Sequence, residues 1–278
     1  MMFWYFQRLF YGIKNFSWSC YLECQKLGCR EAAQTIAIYP SSKWRNRIVN
    51  GLRNSNFTPV FIDTIANSKA EYDLILPITI EALTDQEIRN RSSNCSIPLP
   101  SIEAVRLCDD KYRFNTTLIA NGFEDIIPTM NKKEYPYILK KKKDEWGQNT
   151  FLIFNETDEI EHAESISSSD YFTQEIITGK VEYATHILFK KGRILSAINI
   201  KYIFRHDFSI KGKDEEYIKT IAKNKYLDIF TNLLSSIDFQ GICCVNYKIK
   251  EDKPYIIEIN PRLGGSLPPY LFLMLKKL

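Results

Sequence analysis

Apolar residues along this chain alternate between strand-like and helix-like spacing, and the switches mark its elements. Gln34 to Tyr39 predicts a short buried strand ended by Pro40, with Ser41 or Ser42 placed to cap a following helix. In that helix Trp44, Ile48, Val49 and Leu52 share one face, with Gly51 inside it. Thr58 to Ile62 and Asp73 to Leu76 predict two more strands. The alternation implies a small parallel α/β domain over residues 33–100, preceded by an aromatic segment over 1–32. Asn94 to Pro100, with two prolines and a serine, reads as a linker.

Beyond it, Val105 to Ala120 predicts one helix, stopped by Asn121-Gly122. From Tyr137 the spacing turns to period two. Tyr137 to Lys140, Phe151 to Phe154, Phe172 to Ile177, His186 to Lys190 and Arg193 to Phe204 predict strands, with a hairpin turn at Lys191-Gly192. Glu216 to Ile237 predicts an amphipathic helix with Ile218, Ile221, Leu227, Phe230, Leu234 and Ile237 on its stripe. Ile242 to Ile249 and Pro254 to Ile259 then form a hairpin around Lys250 to Lys253. The fold class is therefore α/β followed by α+β.

The 278 residues suffice for two packed subdomains, and 45% hydrophobic with 25% charged residues is globular composition. A net charge of +4 gives no nucleic-acid signature. Seven cysteines without metal spacing fit free thiols in a reducing cytosol, so a cytoplasmic location is expected. No run of about 18 apolar residues predicts a transmembrane helix. Met1 to Tyr11 carries seven bulky apolar residues, broken by Arg8 and followed by Lys14, with no cleavage site of a signal peptide. Two readings of it stand: a weak peripheral membrane contact, or a cover over a groove of its own protein, the second being favoured.

The segment richest in chemistry is Glu258-Ile259-Asn260-Pro261-Arg262-Leu263-Gly264-Gly265-Ser266. Strand alternation puts Glu258 and Asn260 on one face, with Ile257 and Ile259 toward the core. Two adjacent oxygen donors suit a hard cation such as magnesium, and Asn246 on the preceding strand offers a third. The three histidines, His162, His186 and His206, have no nucleophile spacing. Lys201, Arg205 and Lys211 read equally as a phosphate or acidic-substrate site and as a solvated patch.

Taken in order, these segments resemble the ATP-grasp superfamily, closest to its carbamoyl-phosphate-synthase-like amino-acid ligases. "EINPR" after "GICCVNY" is similar to that family's metal hairpin, "QEIITGKVEY" to its nucleotide hinge, "YPYILKKKK" to its phosphate-lysine strand, and "CDDKYRF" to the helix carrying another lysine. "YDLILPITIEAL" resembles the last strand of its first domain, so the likeness spans residues 33 to 266.

The resemblance implies a two-lobed ATP-grasp domain over residues 101–278. Lys111 and Lys140 would hold phosphates, and Glu175, Ile176 and Ile177 would read adenine. Glu182 would grip the ribose, Glu258, Asn260 and Asn246 would hold magnesium (or manganese), and Arg262 would act with Lys140 in catalysis. The implied reaction joins a small-molecule carboxylate to an amine through an acyl phosphate, releasing ADP. A small-molecule kinase and a catalytically decayed nucleotide-binding protein are the alternatives. Lys141 stands where the family has proline, which makes Lys142 a rival phosphate ligand. The following loop has only Gly147, and the metal position at Asn246 is an amide. The chain ends 12 residues past Ser266, so a substrate wall that is missing, shortened or supplied by a partner is expected.

Overall fold

The computed structural model describes residues 2–27, 32–40, 44–63, 71–144, 147–214 and 216–278, with side chains from residue 6 onward. It is a mixed α/β architecture with one parallel and two antiparallel sheets.

The first sheet holds β1 (Gln34–Tyr39), β2 (Phe57–Phe61) and β3 (Leu74–Pro77) in the order β2-β1-β3, all parallel. Helix α1 (Met2–Leu27) precedes it, and α2 (Arg45–Leu52) is the crossover between β1 and β2. The expected cap at Ser41 or Ser42 lies outside the described residues. Gly51 sits inside α2 because a Cβ there would lie 1.9 Å from the Pro268 carbonyl oxygen; the helix packs backbone to backbone on the C-terminal turn. Two short helices follow, α3 (Ile80–Thr84) capped by Thr79 and α4 (Gln86–Ser92) capped by Asp85.

Where one helix was expected over Val105 to Ala120 there are two, α5 (Ile102–Asp109) and α6 (Lys111–Ala120). Asp110 leaves the helical region, and its carboxylate accepts the Arg113 N–H at 3.0 Å, so it ends one helix while capping the next.

The smaller antiparallel sheet holds β4 (Tyr137–Lys141), β5 (Thr150–Ile153) and β6 (Tyr171–Glu175) in the order β5-β4-β6, with α7 (Glu156–Glu161) and α8 (Ala163–Ser167) between β5 and β6. The larger holds β7 (Val181–Lys190), β8 (Arg193–Phe204), β9 (Tyr217–Ala222), β10 (Gly241–Lys250) and β11 (Lys253–Asn260) in the order β11-β10-β7-β8-β9. Lys191 and Gly192 have φ of 52° and 74°, the positive pair that a tight hairpin turn requires. Helix α9 (Leu227–Ser236) precedes β10, and α10 (Leu271–Leu275) closes the chain.

Two expectations fail in this sheet. Residues 217–222 are the edge strand β9, not the start of a helix. Ile218 and Ile221 satisfy a helical stripe, but Ile218, Thr220 and Ile221 are all buried when the segment pairs with β8, and that pairing wins. Ile257 does not face the core: the β10–β11 register slips between Asn246 and Tyr247, so Ile256 and Ile259 enter the core and Ile257 turns to the cavity.

The large sheet is buried on both faces. Ala184, Leu188, Ile198, Ile200 and Cys244 join α2, α10 and the first sheet in one core. Ile187, Phe189, Cys243, Val245 and Tyr247 join α5, α6 and α9 in another. Each fully buried Ile, Leu or Phe contributes about 1.5–3 kcal/mol. Helix α1 lays Trp18 and Leu22 on the first core, and Asn15 donates to the Lys219 carbonyl at 2.7 Å. Its opposite face leaves Phe6, Leu9, Phe10, Ile13 and Phe16 61% to 71% exposed, so it covers its own protein with one side only. Among the described residues no helix is long and apolar enough to cross a membrane, and six cysteines are free thiols.

Candidate active site

The two antiparallel sheets face each other across a cavity of about 520 Å³. Period-two alternation supplies its walls: Ile138 and Lys140 from β4, Thr150 and Leu152 from β5, Asn246 and Lys248 from β10, Glu258 and Asn260 from β11. Every site residue anticipated from sequence, Lys111, Lys140, Glu175, Ile176, Ile177, Glu182, Asn246, Glu258, Asn260 and Arg262, lines this one space.

Glu258 is its electrostatic centre. It pairs across the hairpin with Asn246, whose amide donates to the carboxylate at 2.7 Å, and Asn260 donates to the same oxygen at 3.0 Å. Lys111 lies 3.5 Å from the other oxygen. Burial pushes this carboxyl up, but Lys111, Lys211 and the two amides outweigh it and bring it down to about 2.

Lys140 is buried and donates to the Gln174 amide oxygen at 2.7 Å; Gln174 in turn donates to the Pro128 carbonyl at 3.0 Å. Burial lowers its ammonium to about 8, Glu258 and Glu182 opposing the shift and Lys111 and Lys248 adding to it. Lys142, its rival, does not line the cavity; its ammonium lies 5.0 Å from the Tyr112 ring centre. Lys111 also donates to the Asp144 carbonyl at 2.5 Å.

Glu182 is buried and ion-paired with Lys211 at 2.7 Å, and Lys211 donates to the Asn246 oxygen at 2.6 Å. Lys211 is therefore a cavity cation and not part of a solvated patch. Its ammonium is raised above the ordinary lysine value, Glu182 overcoming the cost of burial. Glu175 ends β6 on the connection to β7, and Ile176 and Ile177 follow in that connection. Its carboxylate takes Lys250 at 2.8 Å and the Thr129 hydroxyl at 3.1 Å; burial raises it, but these partners prevail and hold it below the usual range. Arg262 is buried, with its guanidinium 5.8 Å from the Trp44 ring centre and donating to the Leu263 carbonyl at 3.3 Å.

His186 is fully buried, bonds the Ser266 hydroxyl at 2.7 Å, and is lowered to about 3 by burial with Lys211 and Lys219 adding to it. It is a neutral structural group. Gly264 packs against it so closely that a Cβ would lie 2.6 Å from the ring.

Lys248, Arg47, Tyr202, Tyr217 and Lys219 also line the cavity and were not singled out in the sequence. The parity of β10 exposes the signal for Lys248, two residues after Asn246. For Lys219 the helical reading of 216–237 hid the strand face it shares with Tyr217.

Among the described residues no cluster of three or more His, Cys, Asp or Glu side chains could hold a metal. One carboxylate with amide oxygens at Asn246 and Asn260 does not make a closed cage for a cation. It does fit magnesium, which takes one or two carboxylates and completes its shell from phosphate oxygens and water.

The cavity lies between two antiparallel sheets, with a carboxylate hairpin on one wall and a buried lysine on the other, and this is the arrangement that the resemblance in the sequence implies. The ATP-grasp domain matches residues 108–266, more than half of the chain, and the chain belongs to that family. Its fold is similar to D-alanine–D-alanine ligase from Bacillus anthracis, with a TM-score of 0.57 and 15% identity over 88% of this chain and 97% of that one. It is likewise similar to an L-amino acid ligase from Bacillus licheniformis, with a TM-score of 0.58 and 16% identity over 87% and 70% of the two chains. An uncharacterized protein of Methanocaldococcus jannaschii is 31% identical over 93 residues, which are 34% of this chain and 22% of that protein.

Proposed function

We propose that the chain is an ATP-dependent carboxylate–amine ligase that forms an amide through an acyl phosphate, releasing ADP and phosphate. The observation that carries this reading is the meeting of Glu258, Asn246 and Asn260 with Lys111, Lys140 and Lys211 in one cavity. Phosphoryl transfer needs positioned positive charge more than covalent help from the protein, and this cavity supplies it. Magnesium held by Glu258 and the oxygens of Asn246 and Asn260 would neutralise phosphate charge. Lys140 and Lys111 hold the phosphates from opposite sides, Lys140 gaining an anion that offsets its desolvation. Glu182, fixed by Lys211, presents carboxylate oxygen to ribose hydroxyls, and the backbone of Glu175 to Ile177 faces adenine. Arg262 stands beside the carboxylate that receives the phosphoryl group. The fold likeness to D-alanine–D-alanine and L-amino acid ligases supports the amide-forming outcome.

The test is ADP release by the full chain, screened against pairs of small acids and amines, with product mass determined. An amide formed in step with ADP is the expected product. A phosphorylated metabolite would replace the ligase reading with a kinase, and ATP binding without turnover with any pair would mark a protein that binds nucleotide only.

A further inference from the structure

The positive charge of the cavity exceeds what its own carboxylates compensate, and the excess is concentrated at one end. Lys111 is paired with Glu258 and Lys211 with Glu182, while Lys140 and Lys248 donate to Gln174 and to the Gly179 carbonyl. Arg47 and Lys219 stand apart from this network. Among the described residues neither meets a carboxylate, although both line the cavity. Arg47 comes from α2 beside the first sheet and Lys219 from β9 at the edge of the large one, so the fold brings two cations from unrelated elements to the wall of one cavity, where the Arg47 charge acts on Lys219. Lys219 is half-buried, and its ammonium is lowered by burial first and by Arg47 second. The charges that act on Lys140 are a separate set: Glu258, Lys111, Glu182 and Lys248.

The surroundings are those of a small binding site. Lys219 is directly opposite Tyr202 in the β8–β9 register, and both line the cavity with Tyr217, whose ring lies 5.2 Å from that of Tyr202. Lys211 sits 5.3 Å over the same Tyr202 ring, so this tyrosine separates the nucleotide end from the Arg47–Lys219 end. The strand that carries Lys219 is pinned from outside by Asn15 of α1, which bonds the Lys219 carbonyl. Two cations brought together without a counter-charge cost stability, and a bound anion removes that cost.

We propose that the activated acid carries a second oxyanion, a carboxylate or phosphate the reaction does not consume, held between Arg47 and Lys219 with the Tyr202 and Tyr217 rings beside it. The substrate class is then small acids with two anionic ends. One end is presented to the nucleotide near Arg262 and Lys211, and the other is anchored at Arg47 and Lys219. This rests on the ligase reading for the role of the first end, but the anion site itself does not.

The experiment is titration calorimetry of the full chain with magnesium and a non-hydrolysable ATP analogue, against propionate, succinate and phosphoglycolate. Succinate or phosphoglycolate is expected to bind about tenfold or more tightly than propionate, as one added charge-assisted contact provides. The stronger of the two identifies the oxyanion. In an R47Q/K219M variant both should fall to the propionate level, while affinity for the ATP analogue stays within about twofold. The variant loses a repulsion and keeps the Lys219 stem packing, so its thermal midpoint should equal or exceed that of the wild type. Equal affinity for all three acids, no binding of any of them, or a dianion preference that survives in R47Q/K219M would overturn the proposal. Failure of the ATP analogue to bind, with an Arg47- and Lys219-dependent dianion preference intact, would sink the ligase reading and leave the anion site standing.

Discussion

The two sheets that enclose the cavity are built to different standards. The five-stranded sheet is packed on both faces by large cores that include Phe189, Phe230, Tyr247 and Leu188. The three-stranded sheet rests on a small core of Tyr137, Leu139 and Ile153 with Phe151, Ile166 and Tyr171 partly buried against it, and α7 and α8 beside it have no fully buried residue. Fewer buried apolar contacts mean a lower local opening free energy, so the small sheet is the part able to shift over a nucleotide while the large one stays fixed. The chemistry is divided the same way. The large sheet carries the ion-paired network of Glu258, Glu182, Lys211 and Asn246, and the small sheet contributes one charged group from its interior strand, Lys140.

The difference is tested most severely by removing the charge at the centre of the fixed wall. Glu258→Gln keeps the side-chain volume and a hydrogen-bonding end, and it should reduce ADP release by about a hundredfold or more, the scale of a lost electrostatic contact to a transferring group. Turnover by this variant at the wild-type rate would remove Glu258 from the phosphate-handling machinery. Acid unfolding gives a second reading. Glu258 is held at about 2 against an ordinary 4.5, so its ionised form stabilises the fold above pH 4.5, and that contribution fades as pH falls through the interval down to 2. The variant should lack this part of the acid limb.

On the movable wall, Lys140→Met should abolish turnover and most ATP affinity and leave the protein without nucleotide as stable or more so. The ammonium is lowered to about 8 from 10.5, so below pH 8 the native state carries the full cost of a buried charge. That cost is relieved as pH rises from 8 to 10.5, because over this range the unfolded chain binds more protons than the native one. Wild type should therefore gain stability over this interval through Lys140, and the methionine variant should not. A variant of lower stability at pH 7, measured by denaturant titration, would show that the lysine is held by its Gln174 bond more strongly than burial penalises it.

Much of this was legible in the sequence, and what was not has definite causes. Four of the five strands of the large sheet were readable from their alternation, and the shared face of Glu258 and Asn260 from parity; the edge strand β9 was not, because Ile218 and Ile221 also satisfy a helical stripe. Glu182 was picked out only through the resemblance of "QEIITGKVEY" to the family's hinge, since the strand bearing it begins five residues before the predicted start at His186. The break at Asp110 was hidden because a carboxylate inside a helix and one capping the next look alike in one dimension. The bulge that turns Ile257 into the cavity depends on register with β10, which is a property of two strands. Lys211 reads in the sequence equally as part of an anion site and of a solvated patch, and only its tertiary pairing with Glu182 decides between the two; Arg47 reaches the cavity through tertiary packing, and nothing within a few residues announces it.

The smallest expected effect concerns Lys142, and it tests whether β4 is placed in the right register. By strand parity Lys142 could have faced the nucleotide together with Lys140, and it is the more accessible of the two. The strand ends at Lys141, however, and the Lys142 backbone is committed elsewhere: its N–H donates to the Asp170 carbonyl and its own carbonyl accepts from Lys111, both at 2.8 Å. Its ammonium then rests against Tyr112, whose ring packs edge-on to Phe172 with centres 5.6 Å apart. Lys142→Met keeps both backbone bonds and much of the stem contact, and loses a cation–π contact of about 0.5–1 kcal/mol at a partly exposed position. ATP affinity should fall by about tenfold at most, far short of the loss on Lys140→Met, as equilibrium binding of a fluorescent ATP analogue will measure. A reversed order of the two variants would mean that β4 is displaced by two residues relative to β5 and β6. The pairing of Leu139 with Phe151 and Thr173 would then be wrong as well, and with it the small core on which the movable wall stands.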